Sequence, residues 1–582
     1  MTPLRVWAPR AKRVEMETGG RRTVLQPAGG GWWVAGAPAL RPGADYVLYL
    51  DGDGPFPDPR SPWQPQGVHG AARWVDHDAY RWSDEGWQPP PLETGVIYEL
   101  HTGTFTAEGT FAAATERLDD LVQLGVTHVE LMPVAEFSGD RGWGYDGVDL
   151  YAAHHAYGGP EGLKQLVDAC HQRGLAVLLD VVYNHLGPSG NYLERFGPYF
   201  TDRYQTPWGK AVNLDGPDSD EVRRFFIDNA LMWLRDYHLD GLRIDAVHAI
   251  FDISAIHFLE QLAGEAKRLE ASLGRPLLVI AESDLNDPRV VHRREAGGYG
   301  LDAQWNEDFH HALHALLTGE REGYYRDFGR VADVAKVLTG GLVYDGRYSE
   351  FRRRTHGRPA TGLSGHRFVG CLQNHDQIGN RAVGDRIGHL ISREELMIGA
   401  ALVLTSPFVP MLFQGEEWGA STPFLYFTNH AEPELAEAVR RGRREEFAAF
   451  GWDPESIPDP QAEETFQRSK LNWDERSRSP HAGLLEWHRR LIALRKGLPE
   501  LTDGALENVQ VRFDEEARWL VVSRGAVTVA CNLADEEKPV PVPGPAGRRL
   551  LLASVPGVEA VEGRIALPGR AVCILGPERA AG

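Results

Sequence analysis

The sequence predicts an α/β protein, a (β/α)8 TIM barrel flanked by N-terminal and C-terminal β-sandwich domains. Three observations carry this. From Gly95 onward, apolar runs of strand length alternate with longer stretches of helical period, and the plan repeats until eight strands have been counted. Short runs separated by Gly and Pro clusters precede Pro89-Pro90-Pro91 and return after about residue 500. Polar residues, finally, gather at the ends of several candidate strands, where a barrel builds its active face.

Residues 1–90 hold LRVWA, GWWVAGA and DYVLYLDG, strand-length runs that suit a small antiparallel domain. The triple proline ends it, because proline continues neither a helix nor a central strand. Barrel strands are expected at 95–100, 128–134, 176–182, 241–247, 277–283, 301–307, 367–373 and 409–416. Between them lie the helical stretches TFAAATERLDDLVQLG, GPEGLKQLVDACHQRG, DSDEVRRFFIDNALMWLRDYHLDG, HFLEQLAGEAKRLEASLG, FHHALHALLTG and ELMIGAALVLTS, and HAGLLEWHRRLIALRKG closes the series. The barrel domain is thus placed at 91–497, with a short excursion at about 186–218, and the second β domain at 498–582. The sixth strand is the least marked. An open doubly wound sheet is the alternative architecture.

Composition narrows the chemistry. A net charge of -21 opposes nucleic acid and anionic membranes as partners, and no basic run offsets it locally. Cys170, Cys371, Cys531 and Cys573 are scattered in apolar segments without zinc-site spacing, as reduced core thiols would be. The N-terminus lacks the apolar core of a secretory signal, and no stretch reaches the roughly 20 apolar residues that span a bilayer. A cytoplasmic protein is expected, of unspecified oligomeric state.

The informative anomaly is Gly241-Leu-Arg-Ile-Asp-Ala-Val, a strand carrying Arg243 and Asp245 on one face. Unpaired buried charge costs several kcal/mol, so the strand must lie at a wet end or be built for chemistry. Other strand ends match it: Asp180 through Asn184-His185, Glu282-Ser-Asp284, and Gln373-Asn-His375-Asp376. Any one such Asp reads as a helix cap or turn former, and Asp146, Asp284 and Glu417 fit that description. Asp180 and Asp245 do not, since each lies inside its run. We expect Asp180 to pair with Arg243, whose guanidinium then keeps Asp245 ionised.

An ionised carboxylate beside a second, desolvated acid and a third carboxylate suits glycoside hydrolysis. Glu282, in the apolar run LLVIAES, is placed to stay protonated as the general acid. Asp376 could then stabilise positive charge, and His185 and His375 donate to sugar hydroxyls. Trp143 and Tyr145 of RGWGYDG are candidate sugar platforms on a glycine-broken loop, with Trp208 and Trp305 held more loosely; Trp32-Trp33 reads as core and edge of the first domain. No GxxxxGK[ST], HExxH or GxSxG motif supports a competing chemistry.

At these residues the chain resembles the α-amylase superfamily, glycoside hydrolase family 13. DVVYNH, GLRIDAVH, IAES and QNHDQ stand in the order and at the spacing of its four signature regions. RVWAPRAKRVEM is similar to the carbohydrate-binding-module-like domain of branching and debranching members. VIYELHTGTFTAEGTF, ELMPVAEF, WNEDFHHALH and MLFQGEEWGAS look like its trehalose-releasing branch. The resemblance implies Asp245 as nucleophile, Glu282 as acid/base and Asp376 as transition-state stabiliser, with Tyr145, His185, Arg243 and His375 lining the subsite of the attacked sugar. It further implies retaining hydrolysis of maltooligosyltrehalose, or a related α-glucan, at the α-1,4 bond joining trehalose to the rest of the chain, without cofactor or obligatory metal. The short excursion after His185 argues against a structural calcium. Asp284, Glu416 and Glu417 are candidates by position alone for holding the trehalose end. A branching or debranching enzyme, and a catalytically silent glucan-binding member, are the alternatives.

Overall fold

A computed structural model describes residues 3–36, 40–448, 457–542, 548–561 and 563–577. Ala37, the last residue of the GWWVAGA run, lies outside them, as do the chain's first and last few residues. Eight parallel strands close into a barrel: β1 (Ile97–Leu100), β2 (His128–Leu131), β3 (Ala176–Val181), β4 (Gly241–Ile244), β5 (Leu278–Ala281), β6 (Ala303–Trp305), β7 (Phe368–Cys371) and β8 (Val409–Phe413). Each falls inside its predicted span, which excludes the open sheet. β6, the weakest in sequence, is also the shortest at three residues.

Helices follow from the predicted stretches, among them Gly159–Gln172, Ser219–Asp236, Phe258–Leu273, Glu307–Thr318, Arg393–Leu404 and His481–Gly497. Ser392 and Glu395 form a reciprocal capping box at the start of Arg393–Leu404. The first predicted helix is instead two, Phe111–Thr115 and Leu118–Leu124. Thr115 Oγ1 donates back to the Phe111 carbonyl at 2.9 Å, the local bond through which Thr competes with the helical ladder. The excursion after β3 holds a short helix, Leu193–Phe196, and a hairpin of Phe200–Thr206 with Gly209–Val212. A second hairpin, Asp345–Ser349 with Arg354–Gly357, was not predicted, because YDGRYSEFRRRTHG has no apolar alternation to announce it.

Antiparallel sheets flank the barrel on both sides. On the N-terminal side a three-stranded sheet (Arg5–Trp7, Trp32–Val34, Gln26–Gly29) accompanies a five-stranded one centred on Val14–Thr18 and Asp45–Leu50. On the C-terminal side a five-stranded sheet built around Val527–Asn532 and Ala571–Pro577 accompanies three short strands.

Alternation along the barrel strands positions the site. Ile97, Leu178, Ile280, Ala303, Val369, Cys371, Val409 and Met411 form one buried cluster that fills the barrel. Two residues further along β1 and β3, and one residue past the end of β5, the same alternation carries Glu99, Asp180 and Glu282. The barrel is therefore oily below and ionisable at its C-terminal mouth. Register sets the neighbours: Asp180 lies beside Arg243, and Glu130 beside Glu99.

Candidate active site

Arg243 sits at the centre of the mouth, fully buried, so its expected place lining the sugar subsite is corrected to one beneath it. Its Nη1 donates to Asp180 Oδ2 and to Asp245 Oδ1, both at 2.8 Å, and its Nη2 lies 3.8 Å from Glu282 Oε2. The Trp305 ring lies beneath the guanidinium, 4.1 Å from its centroid, so one face of the cation rests on an aromatic quadrupole. Three carboxylates are thus gathered around one permanent charge, the arrangement under which they can share a buried site. The other Asp245 oxygen accepts from Asn184 Nδ2 at 2.7 Å.

β4 ends sharply beyond Asp245. Ala246 takes φ 40° and ψ 52°, left-handed backbone that costs a residue with a Cβ about 1–2 kcal/mol. The turn aims the Ala246 N–H at Glu282 Oε2, tying the fourth strand end to the fifth. Burial pushes the Glu282 carboxyl well above the usual range; Arg243 opposes this, while Asp245 and Asp376 add to it. Asp180 is likewise raised by burial, with Arg243 offsetting, and titrates at about 6.

A second chain of contacts runs from β1. Glu99 accepts the His375 backbone N–H at 3.1 Å and pairs with His375 Nδ1; His375 Nε2 lies 2.8 Å from the Tyr145 hydroxyl, which donates to Asp180 Oδ2 at 2.6 Å. Burial works against a charged His375, but Glu99 and then Asp376 outweigh it and bring it to about 9. The bonds then have one consistent direction: imidazolium to Glu99 and to Tyr145, Tyr145 to Asp180, Arg243 to Asp180 and Asp245. Tyr145 reaches this position because Gly144 has φ +100°; a Cβ there would meet the Pro133 carbonyl oxygen at 2.2 Å. Asp376, with a side chain 42% exposed, faces outward 3.5 Å from His375 Nε2 and accepts from Asn380 Nδ2 at 3.2 Å.

His185 places its Nε2 3.1 Å from the Tyr145 carbonyl and its ring parallel to Trp208 at 4.5 Å. Trp208, 48% exposed, offers the accessible aromatic face of the site. Trp143 does not. It is 5% exposed, stacks on Phe424 at 5.2 Å and gives its indole N–H to the Leu425 carbonyl at 2.9 Å, so its expected role as a platform is corrected to packing. The glycines around it admit close contact rather than exposure: a Cβ on Gly379 would lie 2.0 Å from the Trp143 ring. Trp305 is also no platform, being spent beneath Arg243.

Asp284 stands at the rim, 3.0 Å from Arg352 and 4.0 Å from His248; burial raises its carboxyl, but His248 and Arg352 prevail and hold it below the usual range. Arg352 comes from the hairpin that the sequence did not announce. Glu416 and Glu417 are buried, one accepting from the Phe413 backbone N–H at 3.2 Å and the other from the Tyr98 hydroxyl at 3.0 Å. They secure the loop after β8 rather than reach for substrate. Beyond Asp376 a groove of about 640 Å³ is lined by Tyr324, Tyr325, Phe351 and Arg381.

Three acidic residues escaped the sequence reading: Glu99, Glu130 and Glu307. Burial pushes Glu130 far up, with Glu99 adding to the effect. Glu307, at the start of its helix, is raised by burial and then by Asp376 and Asp284, to about 8. The available signal was the inward parity of the strands, since Glu99 and Glu130 occupy the same alternation as Asp180.

Fold and site together define a glycoside hydrolase of the α-amylase type. The description "Alpha amylase, catalytic domain" matches residues 73–206, and a domain of unknown function matches 504–574. A putative α-amylase from Salmonella typhimurium superposes with a TM-score of 0.90 at 39% identity, covering 99% of this chain and 97% of that one. Malto-oligosyltrehalose trehalohydrolase of Rhizobium sp. (strain M-11) is 50% identical over 98% of this chain and 97% of its own, and that of Arthrobacter ramosus 53% identical over 94% and 95%. The Saccharolobus solfataricus trehalohydrolase is 46% identical over 89% and 88%. The chain belongs to the malto-oligosyltrehalose trehalohydrolase family. A glucan branching enzyme of Xanthomonas campestris is more distant, 29% identical over 71% of this chain and 59% of its own. No helix among the described residues is long and apolar enough to cross a membrane.

Proposed function

We propose that this chain hydrolyses the α-1,4-glucosidic bond beside the trehalose end of maltooligosyltrehalose, with retention of configuration. The observation that carries the reading is the asymmetry of two carboxyls around one guanidinium: Asp245 is ion-paired with Arg243, while burial favours the protonated form of Glu282. An Asp245 oxygen attacks the anomeric carbon as Glu282 gives its proton to the leaving glycosidic oxygen, so the C–O bond breaks and trehalose departs. Glu282 Oε2 is held by the Ala246 N–H, which leaves Oε1 to carry that proton. Glu282, now ionised, takes a proton from water as the water oxygen attacks the glycosyl ester, freeing Asp245 and an α-configured maltooligosaccharide. Asp376 steadies the oxocarbenium-like transition states from the open side, with Tyr145, His185 and His375 around the sugar.

The choice of substrate rests on the names of the relatives and on the exposed Tyr324, Phe351 and Asp284–Arg352 rim beyond Asp376. Domain limits at 90 and 497, with a carbohydrate-binding-module-like N-terminal domain and a C-terminal β-sandwich, complete the proposal. Four free, buried cysteines support a cytoplasmic setting. Incubation with maltotriosyltrehalose should yield trehalose and maltotriose, whose reducing end is α when observed by NMR before mutarotation. No release of trehalose sinks the reading, and β product sinks retention. Asp245→Ala should abolish turnover in a folded protein. The distant branching-enzyme match gives the second reading, under which amylose would lose iodine colour and gain α-1,6 linkages.

A further inference from the structure

The helix Glu307–Thr318 opens at the barrel mouth, where Asn306 Oδ1 caps the Phe309 N–H at 3.1 Å, and it begins E-D-F-H-H. Glu307, His310 and His311 stand at i, i+3 and i+4, hence on one face. One carboxylate oxygen and one ring nitrogen from each histidine lie within 4.8 Å of one another, with Glu307 Oε2 and His311 Nε2 3.5 Å apart. Two ligands on one tetrahedral zinc ion, at bond lengths of about 2.0–2.1 Å, are separated by about 3.3 Å, so the set is nearly closed to coordination distance. The E-x-x-H spacing on a helix is a known way of bringing two ligands to one ion.

His310 gives the second, independent observation. It is 1% exposed, and neither ring nitrogen has a hydrogen-bond partner among the described residues. Leaving a buried polar group unsatisfied costs about 1–3 kcal/mol, so packing alone gives no reason for a histidine here. His314, on the next turn, cannot serve, because its Nε2 is taken by Glu320 at 2.8 Å.

We propose that Glu307, His310 and His311 bind one divalent transition-metal ion of the zinc type, and that this ion switches the hydrolase off. One carboxylate and two imidazoles suit zinc, cobalt or nickel rather than calcium or magnesium, which take all-oxygen shells. Inhibition follows from position and rests on the roles proposed for Glu282 and Asp376. Glu307 Oε2 accepts from Gln377 Nε2 at 2.9 Å, and Gln377 is the residue after Asp376. An ion on Glu307 competes with Gln377 for that oxygen and adds positive charge beside a carboxylate whose field reaches Glu282, favouring loss of the proton that Glu282 must donate. Glu136, His154 and His155 form a second cluster of metal-ligand types. It is more fully paired: Glu136 takes His155 Nδ1 at 2.7 Å and the His155 N–H at 2.9 Å, and His154 Nδ1 accepts the Ala156 N–H at 3.1 Å, which leaves His154 Nε2, 3.8 Å from Glu136, as its one unpartnered ring nitrogen among the described residues, where His310 has two.

The full chain, stripped with a chelator and dialysed, is titrated with Co2+ while visible d–d absorption is recorded, and with Zn2+ by calorimetry. One ion per chain is expected, weakened at least about tenfold in His310→Gln and in His311→Gln and unchanged in His155→Gln. Trehalose release by the wild type should fall as Zn2+ saturates the site, whereas the two weakened variants keep their metal-free rate. Thermal melts verify folding, and either variant suffices if the other unfolds. No stoichiometric ion, or wild-type affinity in both His310→Gln and His311→Gln, overturns the site. Binding without loss of activity overturns the switch. Because the spectroscopic titration needs no turnover, failure of the proposed hydrolase reading would appear separately, as a site that binds in a chain that releases no trehalose.

Discussion

Arg243→Met tests the electrostatic core of the mouth most directly. Methionine nearly preserves the buried volume over Trp305 but removes the donor that holds Asp180 and Asp245 at 2.8 Å and lies 3.8 Å from Glu282. A pair of unit charges about 4 Å apart is worth about 4 kcal/mol at the effective dielectric that suits protein sites. Losing that attraction leaves three carboxyls facing one another, and the cluster responds by taking up a proton. Asp180, at about 6 even with Arg243 beside it, is driven further up and is neutral at pH 7. Part of the deficit returns through that proton, so roughly 3 of the 4 kcal/mol is left to disturb the placing and charge of the carboxyl cluster, about a hundredfold to a thousandfold in kcat under the proposed mechanism. KM should change little, because Arg243 is buried beneath the sugar site rather than lining it. The assay is trehalose release from maltotriosyltrehalose at several substrate concentrations, with near-ultraviolet circular dichroism to verify the fold. A variant within tenfold of wild-type kcat, and with an unchanged pH profile, would refute the reasoning.

Three further outcomes are expected. Activity falls on the alkaline side as Glu282 and His375 lose their protons; Glu99→Gln removes the charge that raises His375, so the alkaline limb of the kcat/KM profile should move to lower pH, and a limb that stays in place removes His375 from the relay. Trp208→Ala removes the exposed aromatic face over His185 and should raise KM by about threefold to tenfold with kcat nearly intact, the range of an aromatic contact worth about 0.5–1.5 kcal/mol; equal KM values by initial-rate kinetics would show that the sugar does not stack there. Asp84→Asn should destabilise the chain by about 2 kcal/mol at pH 7, read as a lower urea midpoint, because Asp84 holds His171 at 2.9 Å and His238 at 2.8 Å where the linker after the first sheets meets the barrel. Asp84 is held low, against burial, by His171 and His238, so its stabilisation is present above the unfolded carboxyl value and lost as pH falls through the folded one; the deficit of the variant should therefore shrink in acid.

Much of this was legible in one dimension because the barrel repeats. Period-two and period-3.6 patterns mark all eight strands and most helices, and only one stretch, broken at Thr115, departs from its predicted helix. The pairing of Asp180 with Arg243 and of Arg243 with Asp245 was also readable, since charge on an inward strand face demands a partner. Exposure was not: the same RGWGYDG loop sends Tyr145 into the relay and Trp143 into packing, and glycine flexibility allows either. Nor was the Asp345–Gly357 hairpin, whose polar sequence carries no period and whose Arg352 reaches Asp284.

By itself the sequence determined the eight-strand order and the pairing of the strand-end carboxylates with their arginine, because local periodicity and the cost of unpaired charge are properties of the chain. Only the tertiary structure decided which buried acids join that group. Glu99, Glu130 and Glu307 sit on β1, on β2 and after β6, distant in sequence from Asp245, and barrel closure in its particular register brings their fields to one mouth. Desolvation depends on what surrounds a group from every side, and no single strand contains that information.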